Sequence, residues 1–126
     1  MKIIIDTNFI LSCVKQKIDL LSQLDELFPF SEIVVPFSVI DELKNLRKSR
    51  RIKIKEREAA DVSLQLIIKK KPKLENLGDN VDNSIVDYAL KNKDIVVASL
   101  DRGIINRLKN KVKLVTIRNK KRVALV

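Results

Sequence analysis

With no histidine and a single cysteine in 126 residues, the chain offers no Ser-His or Cys-His catalytic pair and no zinc site of the usual ligand types. Its chemistry must run on carboxylates, hydroxyls, amides or lysine. Four acids stand where such chemistry could be placed. Asp6 closes the apolar run Ile3 to Ile5, and Asp101 lies just past a second such run, Ile95 to Ala98; Glu42 falls in the first turns of SVIDELKNL, and Asp82 heads VDNSIVDYAL. In open parallel sheets the functional crevice lies beyond the carboxyl ends of the strands, where strand order reverses. Neighbouring strands are about 4.8 Å apart, so carboxylates at adjacent tips can share an ion. Held together at neutral pH, such acids repel and raise one another's pKa unless a cation neutralises them. An all-oxygen ligand set favours Mg²⁺ or Mn²⁺, and Mg²⁺ keeps waters and lets substrate phosphate complete its shell. That describes a phosphodiesterase site better than a storage site.

Each acid also has a plainer reading. Asp and Glu are common at helix starts, where they cap amides and complement the helix dipole. Taken singly, Glu42 and Asp82 fit that role, whereas an aspartate ending a buried apolar strand is rarer. Asp79 reads as a turn or cap residue. Asp87 lies five residues from Asp82, about 140° around a helix, which points it to solvent or a salt bridge.

The elements that must carry these residues alternate. Lys2 to Ile5, Glu32 to Pro36, Ile95 to Ala98 and Val112 to Ile117 are apolar enough for buried parallel strands, and Arg122 to Val126 reads as a small edge strand. Helical spacing runs from Phe9 to Phe28 as one broken helix or two, stopping at Pro29. Ser38 is placed to cap the segment that bears Glu42. A helix is expected over Glu56 to Lys71, ended by Pro72, and Gly78 to Val81 reads as a turn and cap before the helix of Asp82. Parallel pairs need crossovers, so the expected fold is a three-layer α/β/α architecture with a central parallel sheet of four to five strands, residues 1–126 forming one domain. The apolar start, cut off at Asp6, is far short of a signal peptide or membrane span, and a cytoplasmic protein is the expectation. Cys13, inside FILSCV, is expected to pack in the core.

Twenty-six Lys and Arg face sixteen Asp and Glu, a net charge of +10. Such a surface draws a polyanion, with nucleic acid the obvious candidate; a solvated, lysine-rich surface of the thermophile kind is the alternative. The excess is concentrated in Lys44, Arg47, Lys48, Arg50, Arg51, Lys53 and Lys55, a stretch with no acid, just beyond Glu42. Aromatics are few, namely Phe9, Phe28, Phe30, Phe37 and Tyr88. RNA binding would therefore be mostly electrostatic, with little base stacking.

These segments, in this order, resemble the PIN-domain family. IIIDTNFIL is similar to its opening strand and DTN motif, VPFSVIDEL to its proline-ended strand and glutamate-bearing helix, VDNSIVDYAL to its helix-starting acidic motif, and IVVASLDRGIINRL to its strand ending in Ser-x-Asp and short helix. The resemblance spans essentially the whole chain. It implies metal-binding, catalytic roles for Asp6, Glu42, Asp82 and Asp101, with Asn8 and Ser99 orienting the carboxylates. Where the family often carries a second acid after the third motif's aspartate, this chain has Asn83, an uncharged donor that could ligate only weakly; one metal or two stays open.

The resemblance further implies an Mg²⁺- or Mn²⁺-dependent ribonuclease, usually an endonuclease on single-stranded or loop RNA, with the basic stretch and Arg102 holding the phosphate backbone. SLDRGIINRLKN and the basic stretch look closer to the ribosomal-RNA processing branch. A toxin with an antitoxin partner and a catalytically silent RNA-binding module are the alternatives. A homodimer is expected from the family's habit.

Overall fold

The computed structural model describes residues 1–78 and 83–126 in full, and Val81 and Asp82 only as part of a helix backbone. In chain order the elements are β1 (Lys2–Ile5), α1 (Thr7–Lys15), α2 (Leu20–Leu27), β2 (Glu32–Pro36), α3 (Phe37–Lys48), α4 (Ile54–Lys70), β3 (Lys73–Glu75), α5 (Val81–Lys91), β4 (Ile95–Ala98), α6 (Arg102–Leu108), β5 (Lys113–Arg118) and β6 (Arg122–Leu125).

All six strands join one sheet in the order β3-β2-β1-β4-β5-β6. The first five are parallel, and β6 runs antiparallel to β5. The apolar runs are continuous because both faces of the sheet are covered, and alternate residues serve opposite faces. Ile3, Ile5, Ile33, Val35, Val96 and Ala98 pack with α1 to α4, through Phe9, Leu24, Val39, Leu43, Ala60 and Leu64. Ile4, Val34, Val97 and Leu114 pack on the other face with Ile85, Val86 and Ala89 of α5 and Ile104 and Leu108 of α6. The expected three-layer α/β arrangement is what forms, with one strand more than its upper count.

Two local expectations change. Ser38 does not cap its helix: the N-cap position of α3 is Pro36, no side chain caps it, and the Ser38 hydroxyl has no hydrogen bond among the described residues. A residue two places inside the helix cannot turn back to the first free amides as a true N-cap does. The helix expected over Glu56 to Lys71 runs from Ile54 to Lys70, with Lys71 as its C-cap in the left-handed region (φ 52°). The basic stretch covers the end of α3, the link after it and the start of α4; these helices pack against each other, and Arg47 pairs with Asp61 at 3.6 Å. The turn expected over Gly78 to Val81 falls partly on Asp79 and Asn80, which lie outside the described residues.

Among the described residues no helix is long and apolar enough to cross a membrane. Cys13 is fully buried, and burial pushes its thiol pKa up to about 12. Because the thiolate is the reactive form, the folded protein at pH 8 is expected to react with a thiol reagent at least roughly 100-fold more slowly than in denaturant. Equal rates in the two states would mean that α1 does not hold Cys13 in the core.

Candidate functional site

From β1 the chain goes outward through β2 and β3 on one side, then returns to lay β4 and β5 on the other. The switch point is therefore the cleft above β1 and β4. These strands pair directly, with Ile5 opposite Ala98, so Asp6 and Ser99 leave the sheet side by side. The backbone keeps them there: the Asp6 N–H donates to the Ala98 carbonyl at 3.0 Å, and the Ser99 N–H to that of Val115 at 3.3 Å.

Asp6 is only 6% exposed. It is the extended N-cap of α1, with Oδ1 accepting from the Thr7 N–H at 2.8 Å and Oδ2 accepting from the Ser99 hydroxyl at 3.1 Å. The same hydroxyl oxygen accepts from the Asp101 N–H at 3.0 Å. One fully buried hydroxyl thus lies between the Asp6 carboxylate and the Asp101 backbone. Asp101 in turn caps α6, its Oδ1 accepting from the Ile104 N–H at 3.0 Å. Both aspartates therefore cap helices, as the plainer reading of such acids allows. Gly103 makes room for the second cap, because a Cβ there would come within 3.0 Å of the Asp101 Oδ1. Sequence reasoning passed over this glycine, although its Asp-x-Gly spacing was visible.

Glu42, on α3, lines a cleft of about 490 Å³ with Thr7, Asn8, Asn45, Leu46 and Ser49. Thr7 and Asn8 directly follow Asp6, which brings the glutamate to the start of α1. Asn8 is exposed there and has no side-chain hydrogen bond among the described residues. The Thr7 hydroxyl is buried without a partner among them. Asp82 is the second residue of α5, with its side chain outside the described residues. Its neighbour Asn83 accepts at Oδ1 from Nη1 of Arg107, at 2.7 Å. Lys44, Arg47, Lys48, Arg50, Arg51, Lys53, Lys55 and Arg102 are all exposed, and so is Asp87.

The described residues alone contain no group of three acids or other ligating side chains that could hold an ion. What they do provide fits a hard cation in kind. The donors are all oxygen, one carboxylate is nearly buried, and no lysine or arginine is among the residues lining the Glu42 cleft.

A family model described as "PIN like domain" matches residues 3–120. Ribonuclease VapC4 of Methanocaldococcus jannaschii is 33% identical over 123 residues, covering 95% of this chain and 92% of its own. Among solved structures, the PIN domain endonuclease Utp24 superposes with a TM-score of 0.78 at 25% identity, over 98% of this chain and 90% of its own. A domain of a functionally unknown protein from Methanocaldococcus jannaschii superposes with a TM-score of 0.58 at 17% identity, over 93% and 91%, a likeness of fold alone.

Proposed function

The chain belongs to the PIN-like domain family, and from that premise we propose that it is a divalent-metal-dependent ribonuclease hydrolysing phosphodiester bonds within RNA. The observation that carries this reading is the Ser99 hydroxyl, held between the Asp6 carboxylate and the Asp101 backbone at the sheet's switch point. Asp6, Glu42, Asp82 and Asp101 are the acids proposed to hold Mg²⁺ or Mn²⁺. When bound, such an ion lowers the pKa of a water to make the nucleophile and stabilises charge on the phosphate.

The chain's own residues position. Ser99 fixes Asp6 relative to Asp101, and the caps of α1 and α6 fix each carboxylate's direction. No side chain need attack phosphorus. Asn8 is proposed to orient Glu42 or substrate at the cleft it lines with that acid. Lys44, Arg47, Lys48, Arg50, Arg51, Lys53, Lys55 and Arg102 are proposed to hold the RNA backbone, which makes affinity fall with salt.

The test is cleavage of unstructured and structured RNA by the purified protein with Mn²⁺ and with EDTA. Cuts only with the metal support the proposal; RNA binding with no cut under either condition favours a silent binding module. Ser99→Ala is expected to cut roughly 10- to 100-fold more slowly, the usual cost of losing a group that orients a ligand. Melting temperature checks that the domain still folds.

Ribosomal-RNA processing is the setting proposed, on the resemblance of the fourth motif and basic stretch to that branch; the likeness to the endonuclease Utp24 supports internal cleavage. The family resemblance leaves a second reading, a toxin restrained by an antitoxin, and the likeness to Ribonuclease VapC4 supports the ribonuclease activity that both settings need. Growth arrest on expression, relieved by a small protein encoded beside the gene, would decide for the second.

A further inference from the structure

Arg107 sits on the last turn of α6, yet its side chain reaches the first turn of α5, where Nη1 donates to the Asn83 Oδ1 at 2.7 Å. The two helices pack against each other. Asn83 directly follows Asp82 in the chain, so the guanidinium is held one residue along from a proposed metal-holding acid. Its anchor is an amide, not a carboxylate. Arg47, by contrast, is paired with Asp61. No ion pair involves Arg107 among the described residues, and the side chain is exposed. A guanidinium has five N–H donors in a planar fork, and among the described residues one of them is engaged.

Among the described residues, this arrangement fixes a positive charge in place with no carboxylate paired to it. A fork of that kind, exposed on the surface, matches the paired oxygens of a phosphate. We propose that Arg107, positioned by Asn83, is a phosphate-binding residue that grips a backbone phosphate of the RNA strand as it enters the site. The inference rests on the nuclease reading for its substrate. It also gives Asn83 a reason to be neutral: an aspartate there would form a salt bridge with Arg107 and cancel the charge that the phosphate needs.

The test measures RNA affinity in EDTA across a range of salt, and single-turnover cleavage and Mn²⁺ affinity separately. Arg107→Ala is expected to weaken binding to all sequences alike and to lower the slope of log affinity against log salt by about one. Mn²⁺ affinity should stay at the wild-type value. Arg107→Lys should restore the slope and only part of the affinity, since a point charge replaces a fork. Asn83→Asp, which keeps the contact and so guards against simple misfolding, should also weaken RNA binding. An Asn83→Asp protein that binds Mn²⁺ more tightly and cuts faster would overturn the inference, as would wild-type affinity and slope in Arg107→Ala. If the wild-type protein binds RNA with the expected Arg107 dependence but never cuts, the nuclease reading fails while the phosphate grip stands. If it binds no RNA, both fall.

Discussion

Asp101→Asn is expected to lower RNA cleavage roughly 100- to 1000-fold, because a metal ligand supports several kcal/mol of transition-state stabilisation and each ~1.4 kcal/mol is a factor of ten. The substitution isolates charge from architecture. Asparagine is as good an N-cap as aspartate, so its carbonyl oxygen can keep accepting from the Ile104 N–H, and the Asp101 N–H can keep donating to Ser99. Helix α6 should stay in place. What disappears is one of the negative charges at the switch point, and with it part of the reason for a hard cation to settle there. Single-turnover rates with Mn²⁺, read beside a thermal melt, separate the two effects. A rate within a few-fold of wild type, on a folded protein, would remove Asp101 from the reaction.

The second large effect falls on the fold. Phe9→Ala is expected to cost about 3–5 kcal/mol, the usual range for truncating a fully buried aromatic, against a total stability on the order of 5–15 kcal/mol. Phe9 is fully buried, in the first turn of the helix that Asp6 caps, and packs in the core on that face of the sheet. For a domain of this size the loss corresponds to a fall in Tm of roughly 10–20 °C, measurable by circular dichroism. Phe30→Ala is the control. Phe30 is fully exposed, at φ 63°, in the link before β2, and its loss should change stability by no more than about 0.5 kcal/mol. Equal effects from the two substitutions would contradict the packing that holds α1, and Asp6 with it, against the sheet.

Strands β1, β2 and β4 were legible because both their faces are buried, which leaves an unbroken apolar run in the sequence. β3 was not. Its three residues, Lys73, Leu74 and Glu75, lie at the sheet's edge and are mostly exposed, so no hydrophobic pattern marks them. β6 was readable as an edge strand for the opposite reason, since Val123 turns inward between exposed Arg122 and half-buried Ala124.

At the candidate site, the meeting of Asp6 with Ser99 and Asp101 could be inferred from two strand ends, because adjacent parallel strands deliver their tips to one rim. The motif pointed to Ser99, but not to its taking one hydrogen bond from Asp101 and giving another to Asp6. That depends on register, Ile5 against Ala98, which no local pattern encodes. The Arg107 to Asn83 contact is harder still to read, joining residues 24 apart through the reach of one long side chain between two helices. Ser38 misled because a serine near a helix start looks the same in sequence whether it precedes the first turn or lies within it.

Titration of the RNA-free protein with Mn²⁺ by calorimetry, comparing wild type with Asp6→Asn, is the most direct test of a cation site at the rim of β1 and β4. Saturable binding by the wild type is expected, weakened at least roughly 10-fold in the variant. The same affinity in both proteins, or no binding by the wild type, would contradict it.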